Sequence, residues 1–409
     1  MRPVKPVHPT IYLFSARALR DFGDGFVAVL LPVYLIALGF TPLQVGVIAT
    51  AALLGSALLT LGAGFLGARY DHRQLLIAAA GVMVATGVAF ASVHDYAVLL
   101  VIAFTGTVNP SAGSVSVFVP LEHAVLTREI DDAERTRMFA RYSLVGALAG
   151  ALGALAAAIP DVLAPVGLNQ LAGIKMMFVL YAFLGLIGGF IYARIPARLP
   201  AVGDSARALG PSRHIVYKLA VLFSLDSFAG GFVVQSLLAL WLFERFDLSL
   251  TEAGLFFFWS GVLSAFSFPV AAWLSRRIGL VNTMVFTHIP SSICLMLAAV
   301  APTLPIALTL LLIRAALSQM DVPTRSSYVM AVVTAPERAA AASFTSVPRS
   351  LAAAASPALA GALFAASFRA WPLLICGALK IVYDLLLLMQ FRHVKPPEEQ
   401  PITKSEPHA

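Results

Sequence analysis

Long apolar runs separated by short polar segments make up most of this chain. Twelve runs are long enough to cross a bilayer as helices, which takes roughly 17–25 residues each. They lie near residues 13–38, 44–66, 75–93, 97–119, 140–160, 173–193, 215–242, 252–274, 281–301, 304–325, 342–367 and 372–391. The pattern therefore predicts an all-α polytopic membrane protein with twelve transmembrane helices.

The polar segments divide the chain into parts. The longest segment between spans is 194–214, which is rich in Pro, Gly, Ser and Arg and leaves six spans on each side. We therefore predict an N-terminal six-helix bundle over 1–193, a cytoplasmic linker over 194–214 and a C-terminal six-helix bundle over 215–392. The polar, Pro-rich segment 393–409 is predicted to be a disordered cytoplasmic tail.

The two halves resemble each other in sequence. PLEHAVLTREIDDAERTRMFA at 120–140 aligns without gaps with PTRSSYVMAVVTAPERAAAAS at 323–343. The alignment matches Pro120 with Pro323 and places Glu122 opposite Arg325. A parallel internal repeat of this kind is a common transporter architecture, so the two bundles are predicted to be pseudo-symmetric.

Composition and charge support the membrane assignment. The chain is 59% hydrophobic and 12% charged, against about 25% charged residues in soluble domains. Its formal net charge is +7, and only Lys175, Arg245 and Arg369 fall in the loops on the side away from the termini. By the positive-inside rule both termini are cytoplasmic in a multi-pass protein of the inner (plasma) membrane. The basic surplus is thus a topology signal, and we predict no nucleic-acid partner.

No catalytic, metal-binding or cofactor signature is present in the sequence. Cys294 and Cys376 both lie inside apolar runs, which disfavours a disulfide framework or a thiolate metal site. The chain has no phosphate-binding P-loop, and its longest loop is too short for a nucleotide-binding domain. We therefore predict that the protein is not an enzyme and uses no cofactor or metal.

The twelve spans, the cytoplasmic termini and the central linker resemble the major facilitator superfamily of secondary transporters. That family carries a signature close to G-x-x-x-D-R-x-G-R-R after its second span. In the loop after the second span, GFLGARYDHRQ, three residues fit the signature and Ala68 replaces its Asp; the three are Gly64, Arg69 and Arg73. The equivalent loop after the eighth span, AAWLSRRIGLV, keeps an arginine of the signature at Arg277. The resemblance implies a monomer that moves a small molecule by alternating access.

Four charges lie in the first span, in the stretch RALRDFGDGF. At about 100° per residue, Arg17, Arg20, Asp21 and Asp24 share one face, and the opposite face is apolar. A charge near mid-bilayer costs roughly 2.5–3.5 kcal/mol and persists when it is paired or functional. A bare Arg20–Asp24 ion pair is the simpler interpretation. We favour proton coupling by Asp21 and Asp24, with Asp226 in the seventh span as a related group.

Other polar residues in the spans are candidates for a substrate site, a charge network or a gate. Arg20, Asn109, Arg314 and Arg349 are predicted to bind substrate or to balance the carboxylates. Lys380 and Asp384 are four residues apart and most simply form an ion pair within one helix. His288 is most simply a buried imidazole whose hydrogen bonds are satisfied. Glu122 and Arg325 are predicted to form a cytoplasmic latch between the halves. The residues Gly64, Arg69, Arg73 and Arg277 form the loop motif.

Three functions stay open from the sequence. The favoured one is proton-coupled export, by antiport, of a small organic molecule or drug. The segment DVPTRSSYVMAVVTAPERAAAAS, which resembles the inner end of the tenth span in many bacterial efflux proteins, supports export. An alternative is transport of an anion or organic acid held by the intramembrane arginines. An alternative of another class is a membrane receptor or scaffold without flux.

Overall fold

A computed structural model describes residues 9–67, 69–112, 116–127, 132–197, 210–334 and 337–392. The predicted tail, most of the linker and Ala68 lie outside these residues. The described part is helical, with a short 3₁₀-helix at Ala164–Val166. Its α-helices are α1 Pro9–Ala37, α2 Pro42–Gly67, α3 His72–Ser92, α4 Tyr96–Thr105, α5 Phe118–Leu126, α6 Asp132–Ala156, α7 Ile159–Leu163, α8 Gln170–Tyr192, α9 Arg213–Gly231, α10 Gln235–Phe246, α11 Leu250–Ile278, α12 Leu280–Ala299, α13 Leu304–Ser318, α14 Asp321–Val332, α15 Arg338–Ala365 and α16 Trp371–Phe391.

These helices form twelve membrane-crossing units, which confirms the predicted fold class. Nine units are single helices, and three are broken pairs: α4 with α5, α9 with α10, and α13 with α14. The short helix α7 and the 3₁₀-helix lie in the connection between the fifth and sixth units. We call the face on which α1 begins and α16 ends the terminal face, and the opposite face the distal face.

The breaks within 215–242 and 304–325 correct the prediction of continuous helices, whereas Asn109-Pro110 predicts the break within 97–119. The first break contains Asn109-Pro110, and proline cannot donate the backbone hydrogen bond that a helix interior needs. Ala112 there has a φ of 48°. The second follows Gly230-Gly231, the residue type with the lowest helix propensity after proline. The Ser236 amide, at the start of α10, donates to the carbonyl oxygen of Pro110 in the first break at 3.0 Å.

Helix α1 lies at the centre of the N-terminal bundle. It packs against α6 and α8, and its residues Phe26 to Leu31 are almost fully buried. Gly25 is needed for this packing, because a Cβ there would collide with the carbonyl oxygen of Gly150 on α6. Burial in protein removes the charged face of α1 from lipid, so the charges can stay near the middle of the bundle.

The two bundles contact each other mainly through α2 with α15 and α6 with α11. Near the distal face α2 and α15 meet at Gly46 and Gly361, where a Cβ on Gly361 would lie 2.6 Å from the carbonyl oxygen of Pro42. The Ala358 amide donates to Thr50 Oγ1 at 3.0 Å. The Thr251 amide on α11 donates to Asp161 Oδ2 at 3.1 Å. The halves are therefore joined at the distal face.

Candidate functional site

A buried charge network occupies the terminal half of α1. Arg17 Nε lies 2.7 Å from Asp21 Oδ2, one helical turn away. Arg20 Nη2 lies 3.4 Å from Asp21 Oδ1, and Arg20 Nη1 lies 2.9 Å from Glu122 Oε2 on α5. The simpler interpretation of this stretch, an Arg20–Asp24 ion pair, is therefore wrong. Arg20 instead joins α1 to the second half of the broken fourth unit.

Glu122 is the acceptor at the centre of this network, and it is 0% exposed. The hydroxyl of Tyr192 on α8 donates to Glu122 Oε1 at 2.5 Å, and the hydroxyl of Tyr142 on α6 donates to Glu122 Oε2. Arg17 stacks over the Tyr142 ring at 4.8 Å. The predicted latch between Glu122 and Arg325 is not formed in this conformation, because each residue is paired within its own half.

Asp24 has a different environment from Asp21. It is 2% exposed, and it forms no ion pair with any residue that the structure describes. The Tyr181 hydroxyl lies 3.2 Å from Asp24 Oδ1 and 3.0 Å from the carbonyl oxygen of Thr107. A tyrosine hydroxyl has one hydrogen to donate, so these two acceptors compete for it. Thr107 lies in the break between α4 and α5, which links Asp24 to that break.

A second network surrounds Asp226 on α9. Lys380 Nζ lies 2.6 Å from Asp226 Oδ1, and Arg325 Nη1 lies 3.0 Å from Asp226 Oδ2. Arg325 also lies 3.1 Å from Asp321, one turn earlier on α14. The predicted intrahelical pair of Lys380 with Asp384 is wrong, because Lys380 reaches across to α9 instead.

His288 on α12 continues this second network. Its Nδ1 lies 3.0 and 3.1 Å from the two oxygens of Asp384. Its Nε2 lies 3.3 Å from Lys380 Nζ and 3.8 Å from Asp226 Oδ1. The prediction of a buried, hydrogen-bonded imidazole holds for these contacts, but the histidine also connects two carboxylates and an ammonium group.

The two networks are built on equivalent ion pairs of reversed sign. Arg20 on α1 pairs with Glu122, 102 residues later, and Asp226 on α9 pairs with Arg325, 99 residues later. The first and seventh units, and the fourth and tenth, occupy equivalent places in the repeat. Each half therefore contains an ion pair at the equivalent position, and the cation and the carboxylate have exchanged helices between the two halves.

Arg314 and Arg349 are half-buried on α13 and α15. Neither guanidinium group has an ion-pair or hydrogen-bond partner in the described part of the chain. The charges of Arg325, Asp226 and Asp321 all act on Arg349. Asp226 therefore has partners other than the two arginines expected from the sequence, and these arginines are left with uncompensated charge.

The remaining predicted residues lie apart from the two networks. Asn109 is buried, and its side-chain oxygen accepts from the Ser111 amide at 2.9 Å inside the first helix break. The loop-motif residues are exposed or half-buried near the terminal face: Gly64, Arg69, Arg73 and Arg277. The Arg277 guanidinium stacks over Trp273 at 4.6 Å. Asp71, at the position where the family motif has glycine, caps α3 by accepting from the Arg73 amide at 3.0 Å.

Sequence reasoning missed the tyrosines of the N-terminal network and the acidic partner of Arg325. Tyr142, Tyr181 and Tyr192 lie in apolar runs, where a tyrosine is unremarkable. Asp321 lies four residues before Arg325, and this i,i+4 spacing is the one signal that could have revealed it. The tyrosines reach their acceptors from other helices, so no local spacing marks them.

Comparisons with known proteins agree with this architecture. The family model of the Major Facilitator Superfamily matches residues 13–225 and 219–408. An uncharacterised membrane protein of Saccharomyces cerevisiae, YJR124C, is 23% identical, with 93% of each chain covered. The structure of the nucleoside transporter NupG covers 95% of this chain and 100% of its own at 14% identity, with a TM-score of 0.72.

Two further solved structures are similar. A bacterial homolog of the human lysosomal transporter Spinster, in an inward-facing and unoccupied conformation, has a TM-score of 0.69 and 14% identity, covering 95% of this chain and 96% of its own. The human organic anion transporter MFSD10 (TETRAN) has a TM-score of 0.66 and 18% identity, covering 94% and 100%. At these identities the structures establish a shared fold.

Proposed function

Because the chain belongs to the Major Facilitator Superfamily, we propose that it is a secondary active transporter that couples the movement of a small organic molecule to protons. The observation that carries the proposal is Asp24, a carboxyl group buried on α1 without an ion-pair partner among the described residues. A charge held at such depth is costly, and binding a proton removes that cost.

Alternating access follows from the way the halves meet. The contacts at Gly46, Thr50 and Asp161 hold the distal face together. Rocking of the two bundles about a central site would break these contacts and close the terminal face in exchange, as in transporters built from repeats. We place the terminal face in the cytoplasm of a monomer in the inner membrane, by the distribution of Lys and Arg.

Asp24 is the residue to which we assign proton exchange. When its carboxyl is ionised, the Tyr181 hydroxyl donates to it. When the carboxyl is protonated, it can donate to the Tyr181 oxygen, and Tyr181 then donates to the Thr107 carbonyl. One proton thus redirects a hydrogen bond from α1 to the break between α4 and α5. Asp21 and Asp226 already have cationic partners, so we assign them to the supporting networks.

Export in exchange for protons is the direction that we propose. The segment from Asp321, which resembles bacterial efflux proteins, supports it. Moving one elementary charge across the membrane releases about 2.3 kcal/mol per 100 mV. A proton entering through Asp24 could therefore drive a solute outward.

The test is proton movement in liposomes that contain the full chain and a pH-sensitive dye. In a screen of organic solutes, we expect at least one solute to move protons with the wild-type protein. Asp24→Asn should abolish that solute-driven proton movement, because an amide side chain cannot take up and release the proton, and it should leave folding intact.

The matched control is Asp247→Asn, at an exposed residue with a φ of 56°. Asparagine adopts this left-handed conformation readily, so this variant should behave like the wild type. Full proton-coupled flux in Asp24→Asn would exclude Asp24 from the mechanism. Absence of flux with every solute would favour the receptor or scaffold.

A further inference from the structure

The two halves carry opposite excess charge around their networks. In the C-terminal half the cations are Arg314, Arg325, Arg349 and Lys380, and the carboxylates are Asp226, Asp321 and Asp384. In the N-terminal half the cations are Arg17 and Arg20, and the carboxylates are Asp21, Asp24 and Glu122. One cation is thus left over in the second half, and one carboxylate in the first.

The hydrogen-bond chain through His288 has only one arrangement when the imidazole is neutral. An ammonium group has no lone pair to accept a hydrogen bond, so Lys380 must donate to His288 Nε2. The proton of the imidazole is then on Nδ1 and is donated to Asp384. Lys380 also donates to Asp226 Oδ1 at 2.6 Å.

We propose that an anionic group of the substrate binds to Lys380 in the C-terminal half, and that protonation of His288 releases Lys380 for it. This inference rests on the proposed transport function and names the class of its substrate. It adds two residues, His288 and Lys380, to which the transport proposal gives no role.

Lys380 is released because its ammonium group and the protonated imidazole of His288 compete for one acceptor, Asp226 Oδ1. A proton from water that binds the lone pair of His288 Nε2 ends the hydrogen bond from Lys380. The imidazolium Nε2 then faces Asp226 Oδ1 from 3.8 Å, while the ammonium beside it is repelled. The Lys380 side chain is 13% exposed, more than those of Asp226 and Arg325, at 8% and 7%. The added proton offsets the charge of the anion in the binding step, and it is separate from the proton that Asp24 exchanges.

The groups that face His288 support this assignment of the pH dependence. Helix α16 contributes Asp384, Lys380 and the ring of Tyr383, whose centroid lies 6.0 Å away. Helix α9 contributes Asp226, which also holds Arg325 from α14. On α13 the backbone oxygen of Arg314 accepts from Ser291, three residues after His288. The ring therefore lies between the carboxylates of Asp384 and Asp226 and the ammonium group of Lys380.

The experiment uses two probes of nearly equal shape on the full chain in detergent. Benzenesulfonate is an anion at both pH 5.5 and pH 7.5, and benzenesulfonamide is neutral at both. We expect benzenesulfonate to bind more tightly at pH 5.5, with proton uptake measured by calorimetry in two buffers of different ionisation enthalpy. The sulfonamide should bind at least about tenfold more weakly, the value of one charge-assisted hydrogen bond.

Variants separate the roles of the two residues. Lys380→Met should weaken benzenesulfonate binding about tenfold, and Lys380→Arg, which keeps the cation, should restore it. His288→Gln cannot be protonated, so it should bind benzenesulfonate at both pH values only as weakly as the wild type does at pH 7.5, and it should lose the proton uptake. Lys175→Met, at a half-buried lysine beside His94 in the other half of the molecule, is the control and should match the wild type.

Three outcomes would overturn the inference: equal binding of both probes, no binding of benzenesulfonate at either pH, or full proton uptake in His288→Gln. Asp24→Asn should keep both binding and uptake. In the wild-type protein, absence of solute-driven proton flux together with intact proton-linked binding of benzenesulfonate would contradict the transport proposal alone. Solute-driven proton flux without benzenesulfonate binding would contradict only this inference.

Discussion

Arg20 shows how a single charged side chain is accommodated inside a membrane bundle. It contacts Asp21 on its own helix and Glu122 on α5, and its guanidinium lies over the Phe118 ring at 4.7 Å. Removing one member of a buried ion pair leaves the other charge without compensation, which costs more than the pair contributes. Arg20 therefore stabilises the fold chiefly by neutralising carboxylates that are already buried.

We predict that Arg20→Met lowers the free energy of unfolding by about 3–5 kcal/mol, because Glu122 loses its cation. The double variant Arg20→Met with Glu122→Leu should be less destabilised than the sum of the two single changes. Thermal unfolding in detergent measures both effects. Arg69→Met, at an exposed arginine, is the control, and an equal loss of stability in that variant would contradict the prediction.

At the residue scale, the sequence located the charges but not their partners. It placed Arg20, Asp21 and Asp24 on one helical face, and the structure has them buried there. It offered an Arg20–Asp24 pair as an alternative and paired Lys380 with Asp384, because i,i+4 spacing is the only proximity visible in a sequence. The actual partners, Glu122 and Asp226, are about 100 and 150 residues away and follow from helix packing.

Among the elements, the end of the linker is fixed to the C-terminal bundle by one carboxylate. Glu337, just before α15, accepts from the Ser212 hydroxyl at 2.6 Å, from the Thr334 hydroxyl at 2.6 Å and from the Gly210 amide. These hydrogen bonds, led by that from Ser212, lower the pKa of Glu337 to about 2. The start of α9 is thereby joined to the loop between α14 and α15.

The sign of the pH dependence follows from the lowered pKa. Hydrogen bonds to the ionised carboxylate stabilise the folded form above the ordinary pKa of 4.5, and this contribution is lost as the pH falls toward 2. We predict that backbone amide exchange of Gly210 and Ser212, corrected for its intrinsic pH dependence, increases between pH 5 and pH 3.

Glu337→Gln gives the matching control for that experiment. Its amide cannot ionise, so exchange at Gly210 and Ser212 should be faster than in the wild type at pH 5 and should no longer respond to pH. Hydrogen exchange read by mass spectrometry provides the measurement. Exchange that is equally slow in both proteins at pH 5 would show that Glu337 does not hold this segment.

On the scale of the whole molecule, the distal contact between the halves depends on the absence of side chains. Gly46 on α2 faces Pro357 and Gly361 on α15, and a Cβ on Gly46 would lie 2.9 Å from the Gly361 Cα. Gly62, on the same helix, has open space around its Cα. Comparing the same substitution at Gly46 and at Gly62 therefore distinguishes an effect on the contact between the halves from an effect on helix propensity.

We predict that Gly46→Leu shifts the protein away from the conformation closed at the distal face. Overpacking costs about 1–3 kcal/mol, so the opening equilibrium should rise about tenfold. The opening equilibrium is measured by labelling a cysteine introduced as Ser236→Cys in a Cys294→Ala, Cys376→Ala background. Ser236 is fully buried, and its amide donates to Pro110 in the other half. Gly62→Leu should label at the wild-type rate, and equal labelling of both variants would contradict the prediction.

The sequence by itself determined the fold class, the twelve membrane-crossing units and the division into two six-helix halves. These properties are fixed by the length and polarity of continuous segments, because each helix must satisfy its own backbone in lipid. It also indicated the break at Asn109-Pro110, whereas the span that contains Gly230-Gly231 was predicted to be continuous. The reversed signs of Glu122 and Arg325 were visible as well.

Only the tertiary structure decided which charges compensate one another. It paired Arg20 with Glu122 and Asp226 with Lys380, left Asp24 with Tyr181 alone, and left Arg314 and Arg349 without carboxylate partners in the described residues. The physical reason is that ion pairing depends on distances of 3–4 Å between different helices. Hydropathy and helical periodicity fix the inward face of each helix, but the neighbour that it meets is set by packing of the whole bundle.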